Sequence, residues 1–221
     1  MSNLERYRYR IQFEKGEQVR FISHLDLHRT WERTLRRAQL PLYHSQGFNP
    51  RPKINLSRAL PLGQTSECEL MDIWLEQQIE PQELLRRLNE AAPPGLILKD
   101  VAEVPMREGS LQSRIYAVTY LVTLESDRSQ DQIRSAIDQI LAAEKLPRTR
   151  RKKEYDLRPL IETLEIASIS AESLTLRMRL TAKEGASGRP EEVLSQMGFD
   201  PLQARIHRTG IFFETDPLLK S

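Results

Sequence analysis

The residues with the most chemistry to offer stand in one run, Ser45-Gln46-Gly47-Phe48-Asn49-Pro50-Arg51-Pro52-Lys53. Gly47 permits a positive φ, Pro50 and Pro52 restrain the chain, and Asn49, Arg51 and Lys53 carry donors, a combination that suits a phosphate backbone. Phe48 offers a face on which an unpaired base can stack. The alternative is a rigid structural loop with Phe48 tucked into the core and the cations solvated. Surrounding charge favours binding. From Arg33 to Ser66 there are five Arg, one Lys and no Asp or Glu, whereas Glu67 to Glu90 is predominantly acidic. A cation run without compensating acids is hard to explain as a neutral surface.

Further cations extend this reading. Arg29, Arg33, Arg36 and Arg37 recur at spacings of three and four, which places them near one polar stripe of a helix leading toward the loop. Compensation of the helix dipole by Arg36 and Arg37 explains them equally well. A second basic cluster runs from Lys145 to Arg158 and includes Arg148, Arg150, Arg151, Lys152 and Lys153 beside Tyr155. Cations clustered in this way release counterions on meeting phosphates, which makes binding salt-dependent; a solvated loop is the alternative. The residues expected to contact RNA are Arg20, Arg33, Arg37, Ser45, Phe48, Asn49, Arg51, Lys53, Arg150, Arg151, Lys152, Lys153 and Arg158.

Signals for catalysis are thinner. His24 and His28 stand four apart, a metal-ligand spacing on a helix, but Asp26 between them would point away from both, so a third ligand would have to come from elsewhere, with His44, His207 and the carboxylates as candidates. His24 also suits general acid or base work near a phosphodiester, since an ordinary imidazole titrates near 6.5. A histidine in a first helical turn packed under a sheet or paired with an acid is the structural alternative. Asp156 and Arg158 suit an ion pair that positions a strand. Asp156 also invites comparison with pseudouridine synthases, some of which use two half-domains, although no matching catalytic motif is present. His24, Asp26 and Asp156 are therefore the catalytic candidates, and no metal or cofactor is expected. The chain has no P-loop, no GxGxxG after a strand and no GxSxG. Cys68 is the single cysteine, so an intramolecular disulfide, a zinc ribbon or an iron–sulfur cluster cannot be assembled from this chain alone, and a reducing cytoplasm fits best. The net charge of +2 over 221 residues is uninformative beside its distribution. No apolar run approaches the roughly 18 residues of a membrane span, and MSNLERYRYR lacks the apolar segment of an export signal.

The elements that must position these residues follow from periodicity. Tyr7 to Phe13 alternates as a half-buried strand. Ser23 with Asp26 three residues on predicts a helix start, and Leu25, Leu27, Trp31, Leu35 and Ala38 carry the helix from about His24 to Gln39. Leu42-Tyr43-His44 and Lys53-Ile54-Asn55-Leu56-Ser57 read as short extended pieces around the loop, and Glu69 to Leu75 as a strand. Pro81 opens a second helix that ends at Pro93-Pro94-Gly95, and Leu96 to Val104 is a strand. That order predicts the split βαβ or ferredoxin-like plan. The remainder repeats it: a strand over Ile115 to Leu124, a helix through Ile133, Ile137, Ile140 and Leu141, strands over Leu160 to Ile166 and Leu174 to Leu180, a short helix from Arg189 to Met197, and a last strand from Arg205 to Phe213. The expected fold is α+β, two tandem ferredoxin-like domains at 1–108 and 109–221.

At Arg20-Phe21-Ile22-Ser23-His24-Leu25-Asp26, at the run Ser45 to Lys53, and at Pro61-Leu62-Gly63, the chain resembles the bacterial radical SAM-linked, or radical SAM-associated, protein family, a domain of unknown function. Lys152-Lys153-Glu154-Tyr155-Asp156-Leu157-Arg158-Pro159 is similar to that family's second signature. The resemblance implies a radical SAM protein as partner. The three-cysteine motif that such chemistry requires is absent, so this chain is not itself that enzyme. The expected function is accordingly an RNA-binding accessory protein that presents tRNA or rRNA to a radical SAM partner. The alternatives are an RNA-modifying or RNA-processing enzyme, and a protein-interaction module that docks a radical SAM protein.

Overall fold

The computed structural model describes residues 6–150, 152–170 and 172–214. The chain divides into two units, Met1–Arg114 and Ile115–Ser221, so the division falls after Arg114 where the sequence suggests a boundary at 108.

In the N-terminal unit, strand β1 (Tyr7–Lys15) turns Tyr9, Ile11 and Phe13 fully inward. Helix α1 (His24–Arg37) starts where the Ser23 hydroxyl accepts the backbone N–H of Asp26 at 3.1 Å. Its buried Leu27, Trp31 and Leu35 follow each other at intervals of four, so one stripe meets the sheet. Trp31 packs edge-on against Phe13 with ring centroids 4.8 Å apart. Each such fully buried side chain contributes about 1.5–3 kcal/mol of transfer free energy. The helix stops two residues before the sequence pattern suggests, because Gln39 adopts φ +52° and Pro41 follows. Strands β2 (Ile54–Leu56) and β3 (Thr65–Leu75), helix α2 (Pro81–Ala91) and strand β4 (Leu96–Val104) complete the plan. Every pairing within this unit is antiparallel, in the spatial order β2-β3-β1-β4. Leu84 and Leu88 of α2 join the same core as α1.

The face of this sheet turned away from the helices is polar at its middle. Asp72 of β3 is completely buried between Arg8 and Arg10 of β1. Residues 105–114, which end in the short helix α3 (Leu111–Arg114), close over it. Arg8 donates to the carbonyls of Glu108 and Gly109 at 2.5 and 2.9 Å, and Glu108 pairs with Arg10 and Arg114.

The C-terminal unit repeats the order. Strand β5 (Ile115–Glu125) leads into helix α4 (Gln130–Ala142), whose Ser129 and Gln132 form a reciprocal capping box. A hairpin of β6 (Pro147–Arg150) and β7 (Lys153–Asp156) follows, where the sequence pattern suggests only a basic cluster. Strands β8 (Ile161–Ile169) and β9 (Ser173–Lys183), the two-residue β10 (Ala186–Ser187), helix α5 (Pro190–Gln196) and strand β11 (Arg205–Phe213) finish the unit. The order is β8-β9-β5-β11, again antiparallel, with β10 folded back on the end of β9. Core side chains of β5, β8 and β9 pack with Ile133, Ile137 and Ile140 of α4 and with Val193 and Leu194 of α5. Both units are therefore mixed α/β with mostly antiparallel sheets. Among the described residues, no helix is long and apolar enough to cross a membrane.

Candidate nucleic-acid interface

Between α1 and β2 the chain makes a basic excursion that is pinned at its base and open at its tip. The Tyr43 N–H donates to the Trp74 carbonyl at 2.9 Å, and the Lys53 N–H to the Tyr43 carbonyl at 2.9 Å. His44 and Pro52 form a bridge pair. One step further out, the Ser45 N–H donates to the Arg51 carbonyl at 2.8 Å, and the Ser45 hydroxyl accepts the Arg51 N–H at 3.2 Å. Residues 46–50 are left as a tip, where Gly47 takes φ +148°. Phe48 stands there with its whole side chain in solvent, at 106% relative exposure. The core-packed alternative for Phe48 is therefore not the one this geometry adopts.

Cations gather beneath that tip. Lys53 places Nζ 4.4 Å from the Trp74 ring centroid, Arg8 lies 5.2 Å from the same ring, and Arg6 lies 4.3 Å from that of Tyr43. Arg6, Arg8 and Trp74 went unrecognised in the sequence as neighbours of the loop, because their pairing partners lie tens of residues away. Ser45, Asn49 and Arg51 are exposed, as are Arg33, Arg36 and Arg37 on α1. Arg37 reaches Thr34 at 3.4 Å, whereas Arg29 pairs with Asp26 nearer the helix start. Since α1 runs back along β1, its arginine-rich end lies at the loop end of the unit.

Arg20, His24 and Asp26 stand at the other end. From Trp74 to Ser66, which pairs with Lys15, β3 advances eight residues, about 26 Å at ~3.3 Å per residue. Arg20 pairs with Glu17 and lies 4.4 Å over the Phe21 ring, and its carbonyl accepts a 2.8 Å bond from the buried Lys15 ammonium. The same ammonium donates to the Gln64 carbonyl, so it ties the 20–24 segment to the turn at Gly63. Asp26 is engaged in the helix cap, accepting from the Ser23 hydroxyl at 2.7 Å. Partial burial, and then the neighbouring His28, lower the His24 pKa below its ordinary value. His28 faces Glu32 at 3.5 Å. Among the described residues, no group of three or more His, Cys, Asp or Glu side chains is placed to hold a metal.

In the C-terminal unit the β6–β7 hairpin occupies the corresponding place, between the first helix and the edge strand. At its turn Lys152 takes φ +66°, and Arg151, expected from the sequence to contact RNA, lies outside the described residues. Lys152 and Lys153 are exposed at the tip. Arg150 instead faces inward, 3.6 Å from Glu192 and 5.1 Å from the Tyr155 ring, and Arg148 bonds Gln196. Burial, assisted by Glu192, pushes the Tyr155 phenol up to about 12. Asp156 and Arg158 do not meet side chain to side chain. The Asp156 carboxylate accepts the backbone N–H groups of Leu146 at 2.7 Å and Arg158 at 3.0 Å, and the first of these bonds leads in holding it below the usual carboxylate range. The Arg158 guanidinium donates to the carbonyls of Leu141 and Ile161, each at 3.0 Å. Both residues thus fasten the base of the hairpin.

The family model described as "Uncharacterized protein conserved in bacteria (DUF2344)" matches residues 8–190. No curated protein matches the sequence. Among solved structures, the chain is similar to one in a Cbf5-Nop10-Gar1 complex, at 10% identity and a TM-score of 0.53, over 94% of this chain and 50% of that one. It is also similar to chains in the archaeal box H/ACA sRNP Nop10-Cbf5 complex (12% identity, TM-score 0.49, 94% and 49% covered) and in an H/ACA RNP bound to a substrate RNA containing 2'-deoxyuridine (11%, 0.48, 94% and 49%). The chain spans about half the length of each of these three solved chains, and the likeness to the Cbf5-Nop10-Gar1 chain is one of fold alone.

Proposed function

The chain belongs to this bacterial family, DUF2344, and from that premise we propose that it is an RNA-binding accessory protein, with the Ser45–Lys53 loop as its principal contact. One observation carries the reading: a fully exposed phenylalanine stands at the tip of a hydrogen-bonded loop that also exposes the donors Asn49, Arg51 and Lys53. A fully solvated ring gains nothing from folding, whereas a base stacked on it contributes about 1–3 kcal/mol to binding. Arg51 and Lys53 supply phosphate contacts, and the hairpin tip at Lys152 and Lys153 supplies further ones in the equivalent place of the C-terminal unit. tRNA or rRNA is the proposed RNA. The strand order 2-3-1-4 in each unit supports the finer assignment of two tandem ferredoxin-like domains.

The proposed recipient of the RNA is a radical SAM protein. Phe21, Leu25 and Leu62, at 69%, 58% and 62% exposure, lie in or beside the segments that carry the family resemblance, and exposed apolar groups of this kind suit a protein contact. This supports partner docking at the end of the unit remote from the loop.

The test is salt-dependent retention on total bacterial RNA. The Arg51→Ala/Lys53→Ala variant is expected to lose about two phosphate contacts, which lowers affinity and flattens the salt slope by about two. Unchanged binding by a folded double variant removes the proposed site.

A further inference from the structure

Among the described residues, the helices of the C-terminal unit pack on one face of its sheet and leave the other without one. The sheet's core side chains point toward α4 and α5, whereas Thr119, Leu121 and Thr123 of β5 and Thr175, Arg177 and Arg179 of β9 alternate onto the opposite face and are all at least partly solvent-exposed. On this face stands a stack of three planar groups drawn from three strands. Arg179 lies 3.9 Å from the Phe212 ring centroid, and its Nη2 donates to the Tyr116 hydroxyl at 2.5 Å. Glu162 holds the same guanidinium from the edge strand at 2.9 Å. Tyr116 and Phe212 are themselves tilted neighbours, with centroids 6.4 Å apart.

Small residues make room for this arrangement. A Cβ at Gly210 would come within 3.1 Å of the Phe212 ring, so the ring lies over the bare backbone of its own strand. Ala117, paired with Phe212, is completely covered beneath it. Charges on the face are paired across strands. In the rows that pair Ala117–Thr123 with β9 and β11, Arg177, Arg179 and Arg205 lie on this face, and from the edge strand β8 Glu165 pairs with Arg177 at 3.3 Å as Glu162 does with Arg179. A guanidinium fixed against an aromatic ring on a partly exposed sheet face offers planar surfaces on which unpaired bases stack, and single-stranded RNA supplies such bases on an anionic chain.

We propose that this sheet face binds unstacked bases of single-stranded RNA, with Phe212, Arg179 and Tyr116 as its stacking centre. The inference rests on the RNA-binding reading above and adds to it a second site and a substrate class. The loop supplies backbone contacts and one stacking ring; the sheet face selects unpaired strands.

The experiment compares full-length wild type with Phe212→Ala, Arg179→Ala, Phe212→Tyr and the Arg51→Ala/Lys53→Ala variant, using fluorescein-labelled oligouridine and a blunt RNA duplex of equal length. Phe212→Ala and Arg179→Ala are expected to weaken oligouridine binding roughly 5- to 100-fold, the loss of one stacked base, and to leave duplex binding unchanged, with Phe212→Tyr close to wild type. Urea unfolding of each variant separates loss of the site from loss of fold. Should Phe212→Ala fail to fold, ultraviolet crosslinking of oligouridine to wild type, mapped by mass spectrometry, decides: adducts on Tyr116 or Phe212 support the site, and their absence overturns it. Wild-type affinity in folded Phe212→Ala and Arg179→Ala, with binding lost in the loop variant, overturns the sheet-face site alone. No RNA binding by wild type overturns both readings, and capture of a protein on this face by a Phe212-dependent contact without RNA assigns it to a protein partner instead.

Discussion

Replacing Asp72 with Asn removes one buried charge and leaves two guanidiniums facing a neutral amide. The carboxylate accepts from Arg8 Nε at 3.0 Å and Nη2 at 2.5 Å, and from Arg10 Nε at 2.9 Å and Nη2 at 3.1 Å. Asp72 has no solvent exposure and Arg8 has 3%, so water cannot take over the lost bonds. Breaking a buried pair by removing one partner costs about 3–5 kcal/mol, chiefly because the surviving charge stays desolvated. Against the ~5–15 kcal/mol that holds a whole domain together, that is a large fraction. With a urea m-value near 2 kcal/mol/M, the transition of the N-terminal unit is expected to move down by about 2 M. Trp74 fluorescence is a suitable probe, since Trp74 lies against Arg8 and carries the base of the loop. A shift below about 0.5 M at unchanged m refutes the reasoning, and means that the network is solvated or dispensable.

Three other perturbations have definite expected outcomes. Gly188→Ala puts a Cβ 2.9 Å from the Leu160 carbonyl oxygen and is expected to destabilise the C-terminal unit by roughly 1–3 kcal/mol in urea unfolding; a neutral result shows that Leu160 can yield. Ser129→Ala removes the acceptor for the Gln132 N–H and one half of the capping box, for an expected loss of about 1 kcal/mol by thermal or urea unfolding. His24 is expected to titrate by NMR below the ordinary value near 6.5, and to move up in His28→Ala. Because its folded pKa lies below its unfolded one, the unfolded chain takes the proton first, so the His24 contribution falls as pH drops from about 6.5 through the folded value. A His24 midpoint at or above 6.5 contradicts this.

Local chemistry was legible in the sequence and distant pairing was not. Alternation in Tyr7–Phe13 announces β1, Ser23 announces the start of α1, and Arg205–Phe213 reads directly as the last strand, because each signal is carried by neighbouring residues. The hairpin β6–β7 escapes because Pro, Arg and Lys are poor strand formers, and what makes it a hairpin is the docking of Arg148 and Arg150 on α5 residues some 40 positions away. Asp72 looks like one acid in an acidic stretch until the register sets it beside Arg8 and Arg10, more than 60 residues earlier. Composition and spacing locate the Ser45–Lys53 loop but leave two places for Phe48, core or solvent. The backbone bonds of Tyr43, Ser45 and Arg51 turn the tip outward, and those bonds depend on where β3 lies. The stack of Tyr116, Arg179 and Phe212 joins three strands and has no local sequence signature.

The central claim is that RNA is held at the tip of the Ser45–Lys53 loop. Ultraviolet crosslinking of the tagged wild-type protein in bacterial cells, followed by mass spectrometric mapping of nucleotide adducts, tests it most directly. The account predicts an adduct on Phe48 or on a peptide spanning Ser45 to Lys53, lost in Phe48→Ala. Abundant RNA adducts elsewhere with this peptide unmodified, or no adducts at all, contradict it.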